Sequence, residues 1–195
     1  MARASLHYDT TRRTLGAHIE AIEEVSRPRA ELTLIVAACK GPRLDWLIEK
    51  CTELGVSRIV LAEFERSVVR CGPRHVEKLR RTAIEASKQC RRAWLPEIAA
   101  GLSLAEAVAP CDGIPLLIAH PEPSAAALPD WLARHASERK LSAVVGPEGG
   151  LTPTEIVFLR SAGAVEVRLA ETVLRVETAA AAIAACWGAC QIKRP

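Results

Sequence analysis

The sequence lacks the signatures of several common protein classes. Its longest apolar run, residues 179–186 of 195, is too short to cross a bilayer, and no signal peptide follows the first methionine. It contains no Gly-x-x-x-x-Gly-Lys loop for a nucleotide triphosphate and no Gly-x-Gly-x-x-Gly loop for a dinucleotide. Gly-x-Ser-x-Gly and His-Glu-x-x-His, which mark hydrolase nucleophiles and zinc proteases, are also missing. We therefore expect a soluble cytoplasmic protein with none of these activities.

Metal and disulfide chemistry are not favoured either. The seven cysteines form an odd set with no Cys-x-x-Cys pair, and several fall on apolar positions of predicted helices or strands. This distribution favours reduced, buried thiols in a cytosolic protein. The histidines are scattered along the chain, which favours surface or packing roles over a ligand set: His7, His18, His75, His120 and His135.

The composition indicates a globular protein with its own core. Hydrophobic residues make up 49% of the chain and charged residues 25%, which is unlike a disordered chain. A length of 195 residues accommodates one α/β domain and a small appendage. The net charge of +3 tolerates a nucleic-acid partner without arguing for one. A patch of basic residues between Lys78 and Arg92 says more about such a partner than the net charge does.

The first 31 residues differ from the remainder. Leu15, Ala17 and Ile19 alternate with small or polar residues, which is the period of a half-exposed strand. Residues 5–8 could pair with this strand across a turn at residues 9–13. A single hairpin cannot hold a core of its own. We therefore expect the segment to be a remnant or a cover, and residues 31–195 to form the main domain.

From residue 31 onward, strand and helix patterns alternate. Apolar runs predict strands at residues 32–38, 58–64, 114–119, 141–145 and 165–169. Helical spacing and capping signals predict helices at residues 44–55, 74–90, 129–136, 153–163 and 177–191, with a short one opening at the Ser103 capping box. This order predicts a mostly parallel sheet with helices on both faces.

Two irregular loops leave strand ends and enter helix starts. The first is Gly146-Pro-Glu-Gly-Gly150, and a capping box of Thr152 and Glu155 follows it. The second covers residues 170–176 and leads into the last helix. Open α/β sheets bind ligands where loops leave the carboxyl ends of strands. Either loop alone could be a plain connection, but the two together favour a ligand site.

The sequence resembles a known enzyme family along most of its length. Gly146-Pro-Glu-Gly-Gly-Leu-Thr-x-x-Glu155 and Leu169-x-x-x-x-Leu174-Arg175-x-Glu177-Thr178-Ala179 are similar to motifs of the RsmE-type small-subunit ribosomal RNA uridine N3-methyltransferases. These are S-adenosylmethionine enzymes of the knotted SPOUT class. Three earlier segments agree: Lys40-Gly-x-Arg43-x-x-Trp46-x-Ile48-x-Lys50-x-x-Glu53-Leu-Gly-Val56, Glu65-Arg-Ser67, and Gln89-Cys90-x-Arg92.

The resemblance implies a fold, partners and a cofactor. The fold would be an α/β SPOUT domain over residues 31–195 with a C-terminal trefoil knot, and residues 1–30 would be the remnant of a PUA-like RNA-binding domain. The partners would be small-subunit ribosomal RNA and a second copy of the chain, with no membrane. S-adenosylmethionine would be held by three loops, through Ala119, His120, Gly146, Pro147, Glu148, Gly149, Gly150, Leu169 and Leu174.

The implied reaction is methyl transfer to N3 of a uridine. Negative charge that spreads over the uracil as N3 loses its proton needs a nearby cation, and we predict that Arg175 is this cation. An arginine cannot accept the proton because it stays charged in proteins. Glu148, Glu177 or water could accept it. The candidates for holding RNA are Arg66, Gln89, Arg91 and Arg92.

Departures from the family pattern leave two alternatives open. The family carries Gly at the positions of Ala170 and Arg91, and Thr or Ser at Val176, a change that would remove a possible helix cap. Only the last hairpin of the N-terminal domain is expected here. The alternatives are a SPOUT methyltransferase that acts on a different RNA, and a non-catalytic RNA- or ribosome-binding protein that retains the fold.

Overall fold

The strands form two separate sheets in the computed structural model, which describes residues 2–122 and 124–192. β1 (Ala2–Asp9) and β2 (Thr14–Ile22) make an antiparallel hairpin. A seven-stranded sheet follows, with the order β5-β4-β3-β8-β6-β9-β7 and parallel pairing throughout. Its strands are β3 (Glu31–Ala37), β4 (Arg58–Glu63), β5 (Glu97–Ser103), β6 (Leu116–Ala119), β7 (Ala126–Ala127), β8 (Lys140–Val145) and β9 (Val165–Arg168).

Helices connect the strands and cover both faces of the large sheet. They are α1 (Pro42–Glu53), α2 (Val76–Gln89), α3 (Leu104–Val108), α4 (Leu128–Arg134), α5 (Pro153–Ser161) and α6 (Val176–Gln191). Alternate residues of β3 enter two different cores because successive side chains point to opposite faces. Leu34 packs with α1, α2, α4 and α6, whereas Ile35 packs with α3 and α5. The predicted parallel sheet with helices on both faces is confirmed.

The two central strands, β3 and β8, place their carboxyl ends side by side. Val36 of β3 lies opposite Val145 of β8 in the register. From β3 the chain continues to β4 on one side, and from β8 it continues to β9 beyond β6 on the other. The crevice outside such a switch point is where open α/β sheets bind their ligands.

The N-terminal hairpin stands apart from the large sheet. Its predicted pairing is confirmed, with Leu6 opposite Ala17 and Tyr8 opposite Leu15, and these side chains are exposed apart from their contacts with each other. The segment that follows is tied to the main domain at Trp94. The indole nitrogen donates to the carbonyl of Ser26 at 3.3 Å, and the Arg27 guanidinium lies 5.6 Å from the ring centroid.

The structure corrects the sequence reading at two strands and one helix start. β5 was not predicted because its sequence is rich in small residues, and Gly101, at φ +77°, adjoins a register shift against β4. β7 has only two residues and carries no pattern. Helix α6 is capped by Arg175 and begins at Val176, so Val176 does not occupy the capping position. Among the helices of residues 2–122 and 124–192, none is long and apolar enough to cross a membrane.

Candidate active site

A cavity of about 610 Å³ lies at the carboxyl edge of β6, β8 and β9. Three loops, one after each of these strands, form most of its wall. All of the residues predicted to hold a cofactor line it: Ala119, His120, Gly146, Pro147, Glu148, Gly149, Gly150, Leu169 and Leu174. Its volume is in the range that small-molecule sites occupy. The fold thus brings the predicted cofactor residues together, while their role stays a prediction.

The shape of the loop after β8 depends on two of its glycines. Gly150 adopts φ +73°, a left-handed conformation that favours glycine, and donates its N–H to the carbonyl of Pro147 at 2.8 Å. A Cβ at Gly146 would lie 2.8 Å from Cδ2 of the buried Leu151. Packing against Leu151 therefore favours glycine at position 146, whether or not a ligand approaches it.

Hydrogen bonds tie this loop to its neighbours. The predicted capping box of α5 is present, with Thr152 and Glu155 each accepting from the backbone of the other. The second carboxylate oxygen of Glu155 accepts from the backbone N–H of Glu65 at 2.8 Å. Arg66, next in the chain, donates to the carbonyl of Gly149 at 2.9 Å and lines the cavity. The loop after β4 therefore holds the loop after β8 in place.

Arg43 lies between the two carboxylates predicted for catalysis. Its Nη1 is 2.7 Å from Oε1 of Glu148 and 3.8 Å from Oε1 of Glu177. Glu177 is only 7% exposed, and its other oxygen accepts from the Cys39 thiol at 3.6 Å. Burial, followed by the nearby charge of Glu177, raises the pKa of Cys39 to about 12.

This arrangement separates the two candidate bases. Glu148 is on the cavity wall, whereas Glu177 faces Cys39 and Arg43 and is not among the cavity-lining residues. Arg43 was matched to a family motif but not predicted as a site residue. Its position in the first turn of the helix that follows β3 places it at the same carboxyl edge. The rule that open α/β sheets bind ligands at the carboxyl ends of their strands could therefore have identified it.

Arg175 has the free guanidinium that the predicted chemistry requires. It is the N-cap residue of α6, and its carbonyl accepts from the N–H of Ala179 at 2.8 Å. The side chain is exposed and lines the cavity. Within the part of the chain that the structure describes, the guanidinium has no hydrogen-bond or ion-pair partner. Its donors are therefore available to a bound molecule.

One contact of the cavity-lining His120, the carboxylate of Glu166, was not predicted from the sequence. Glu166 of β9 is an ion-pair partner of Arg160, with Oε1 at 2.8 Å from Nε and 2.6 Å from Nη2. Its Oε2 lies 3.4 Å from Nδ1 of His120. A glutamate inside an alternating strand carries no signal for this contact, because only the sheet order brings β9 beside β6.

The structure does not bring the remaining RNA candidates to the cavity. Gln89 is the last residue of α2, and Arg91 and Arg92 follow it, at the amino edge of the sheet. Arg92 donates to the carbonyls of Thr52, Gly55 and Val56, at 2.9, 3.4 and 2.7 Å. Burial lowers the pKa of Arg92. Of the four candidates, Arg66 lines the cavity, and RNA binding by the other three stays a prediction.

Comparisons with known proteins agree with this geometry. A family model described as an RNA methyltransferase domain matches residues 26–188. Ribosomal RNA small subunit methyltransferase E of Mycobacterium bovis is 37% identical over 164 residues, which cover 78% of this chain and 61% of the relative. The chain thus spans about three fifths of the length of that curated relative.

Two solved structures are similar over nearly the whole chain. A Legionella pneumophila methyltransferase in complex with bound S-adenosylmethionine has a TM-score of 0.83 at 27% identity, covering 96% of this chain and 78% of that chain. Ribosomal RNA small subunit methyltransferase E of Neisseria gonorrhoeae, bound to the same molecule, has a TM-score of 0.75 at 28% identity, covering 93% and 75%.

The sheet order, the helices on both faces and the cavity at the switch point define an α/β fold of SPOUT type. The match over residues 26–188 is more specific than the fold. The chain belongs to the RNA methyltransferase domain family, and the resemblance to its RsmE-type members is confirmed.

Proposed function

We propose that the protein is an S-adenosylmethionine-dependent methyltransferase that methylates N3 of a uridine in small-subunit ribosomal RNA. One observation supports this above the others. The three loops that the family uses converge on a single cavity, and the unpaired guanidinium of Arg175 is part of its wall. A cation without a partner beside a ligand-sized cavity is suited to a substrate on which negative charge develops.

The cavity residues fit S-adenosylmethionine. The ligand combines an apolar base, a hydroxylated ribose and a charged amino acid, and the wall combines apolar side chains such as Leu169 and Leu174 with polar and charged groups. No Cβ stands on the backbone at Gly149 and Gly150, so this stretch of the wall can approach a ligand closely. When bound, the cofactor would supply an electrophilic methyl group. The residues that would hold it are Ala119, His120, Gly146, Pro147, Glu148, Gly149, Gly150, Leu169 and Leu174.

Arg175 would act on the substrate and not on the cofactor. Its planar guanidinium can donate to a uracil carbonyl oxygen, where charge accumulates as N3 loses its proton. N3 lies on the pairing edge of the base, so a paired uridine must leave its helix before reaction. Arg66 and Arg168 also line the cavity and would attract the phosphates of the displaced strand.

We also propose that the chain forms a homodimer in the cytoplasm, with the trefoil knot of its class. Two exposed valines at the carboxyl edge support the dimer, because Val68 is 73% and Val173 is 82% exposed. We assign residues 1–30 to a PUA-like RNA-binding domain, since the hairpin joins neither the large sheet nor its cores. Light scattering at micromolar concentration tests the dimer, and a monomer throughout would contradict it.

The test of function is a nucleoside analysis of ribosomal RNA. Small-subunit RNA from a strain without the gene should lack one 3-methyluridine, which the wild-type gene restores and Arg175→Ala does not. Loss of 3-methyluridine from another RNA would identify a different substrate of the same enzyme class. Unchanged nucleosides in every RNA would favour the non-catalytic alternative. Purified protein, S-adenosylmethionine and small-subunit RNA should reproduce the modification in vitro.

A further inference from the structure

The proposed reaction needs a group that accepts the N3 proton, and the structure narrows the choice. Glu177 is buried against Cys39 and Arg43, outside the cavity wall. Glu148 is on the wall but paired with Arg43 at 2.7 Å, and protonating it would break that ion pair. A third titratable side chain on the wall, His120, has a different kind of partner.

His120 is held by its backbone and by one edge of its ring. It directly follows β6, and its N–H donates to the carbonyl of Val167 at 3.1 Å. Nδ1 is fully buried and lies 3.4 Å from Oε2 of Glu166, within ion-pair distance although not aligned as a hydrogen bond. The side chain is still 26% exposed and lines the cavity. Since Nδ1 is inaccessible, the exposed part of the ring is the edge that carries Nε2.

Glu166 is placed to orient this ring. Its side chain is 13% exposed, and Arg160 of α5 holds Oε1 through two nitrogens, which leaves Oε2 for His120. A carboxylate at Nδ1 selects the tautomer with a proton there and leaves Nε2 free to accept. The other charged groups around the cavity are Arg66, Glu148, Arg168 and Arg175.

We propose that His120 is the proton acceptor of the reaction and that Glu166 is its positioning residue, an inference that rests on the proposed function. The N3–H bond breaks as an N–H bond forms at Nε2, and the electron pair stays on N3. That pair forms the bond to the methyl carbon, while the electrons of the carbon–sulfur bond remain on sulfur as a neutral thioether. The imidazolium returns its proton to water after the product leaves.

The charges at the site suit this division of roles. Arg175 stabilises the negative charge on the uracil, and Glu166 stabilises the positive charge that appears on His120. Arg175 and His120 line the same cavity and share no partner in the described residues. A neutral imidazole can accept a proton without losing an ion pair, unlike Glu148.

Three variants test the proposal, with 3-methyluridine formation and S-adenosylmethionine affinity measured on each. His120→Gln should lower turnover by about 10²-fold or more, the scale of general-base catalysis, with cofactor affinity within a few-fold of wild type. Glu166→Gln should lower it by a smaller factor. His75→Gln is the matched control, because His75 is an exposed histidine outside the cavity wall and should leave turnover unchanged.

The pH profile and the ring tautomer separate catalysis from structure. In wild type kcat/KM should rise with pH as His120 becomes neutral, and this limb should be absent in His120→Gln. In Glu166→Gln the preference of the neutral ring for a proton on Nδ1 should weaken, because no carboxylate then faces that nitrogen. Nitrogen-15 NMR of the resting protein should show a proton on Nδ1 and none on Nε2 of the neutral ring.

The outcomes distinguish the two proposals. A wild type that forms 3-methyluridine beside a fully active His120→Gln overturns the role of His120 alone. A large loss of cofactor affinity with unchanged turnover at saturation also overturns it, since His120 would then only hold the cofactor. A wild type that forms no 3-methyluridine overturns the proposed function together with the inference built on it, whatever tautomer the NMR spectrum shows.

Discussion

Arginines that we predicted to be functional lie at both the carboxyl and the amino edge of the large sheet, but their guanidinium groups are paired differently. At the carboxyl edge, Arg175 presents a guanidinium with no protein partner to the cavity. At the amino edge, Arg92 gives its donors to three backbone carbonyls at the end of α1 and the start of β4. A basic residue is available to a ligand only where the fold has left its donors unpaired.

A further contrast concerns how the chain turns at the two edges. Gly150 takes the left-handed conformation in the loop after β8, as a glycine does at little cost. Arg91 takes it after α2, with φ 58°, where the N–H of Arg92 bonds to Ser87 and that of Arg91 to Lys88. This pattern is a Schellman motif, whose left-handed position usually belongs to glycine. The left-handed backbone at this position thus explains why glycine would suit it better than Arg91 does.

The largest effect is expected for Arg175. Arg175→Ala should lower turnover on the order of 10²-fold or more, because it removes a donor felt mainly in the transition state. Arg175→Lys keeps the charge but loses the planar fork, so it should also be clearly impaired. Cofactor affinity should stay within a few-fold of wild type. Arg81→Ala, an exposed change on α2, is the control. Full activity in Arg175→Ala would remove the residue from the mechanism.

Arg92→Ala should chiefly lower stability. It leaves three carbonyls without their charged donor, and we expect a loss of about 2 kcal/mol in the free energy of unfolding. Urea denaturation measures it, and Arg91→Ala, which removes no such contact, should stay within about 0.5 kcal/mol of wild type. A stable Arg92→Ala would show that these contacts are not structural.

RNA titrations at several salt concentrations sharpen the comparison between the edges. If Arg91 and Arg92 contact phosphates, each alanine variant should lower the salt slope by roughly one unit. An unchanged salt slope in both variants would show that neither Arg91 nor Arg92 contacts a phosphate. The carboxyl edge would then be the place where RNA is held.

The buried thiol at the carboxyl edge makes stability depend on alkaline pH. The pKa of Cys39 rises from 9.0 to about 12, through burial and the charge of Glu177. Between these values the unfolded thiol is ionised and the folded one keeps its proton, so stability falls as pH rises, by about 1.4 kcal/mol per pH unit. Burial raises the pKa of Cys51 to about 12 as well. Burial also raises the pKa of Cys71 and Cys186. Cys39→Ala should therefore remove part of this pH dependence from unfolding curves between pH 9 and 12, and an unchanged slope would contradict this.

The smallest effect should be a gain at the amino edge. Arg91→Gly relieves a left-handed residue, which costs roughly 1–2 kcal/mol for side chains with a Cβ, but gives part of that back through the freedom of glycine in the unfolded chain. The net gain should be about 1 kcal/mol in urea denaturation. Arg91→Ala keeps the Cβ and should show no gain, and equal stability of both variants would argue against backbone strain.

Periodicity and capping signals predicted most of the fold. The central strands are apolar runs, and α3 and α5 start at the predicted capping boxes, so local chemistry and tertiary structure agree there. They disagree at β5, an edge strand whose alanines and Gly101 have low strand propensity and which forms because β4 offers it a partner. The alternation of strands and helices predicted a mostly parallel sheet but not the order of its strands, which depends on tertiary packing.

For the candidate site, the loops could be predicted and the pairings could not. The two irregular loops after strands, Gly146–Gly150 and residues 170–176, are visible in the sequence, and both reach one cavity. The ion pairs of Arg43 with Glu148 and of Glu166 with Arg160 join residues on different elements, and no local pattern encodes them. Arg92 shows the opposite case, because a basic residue in a matching motif gave no sign that its donors were already used.

Calorimetric titration with S-adenosylmethionine is the most direct test of the cavity as the cofactor site. The wild-type protein should bind one molecule per chain. Gly149→Val should weaken binding by about tenfold or more, because it adds a side chain to the cavity wall. The variant should still melt within a few degrees of wild type, because the new Cβ would lie at an ordinary 3.4 Å from Cβ of Arg66. A folded wild-type protein that gives no heat at millimolar cofactor would contradict the assignment of these loops to S-adenosylmethionine.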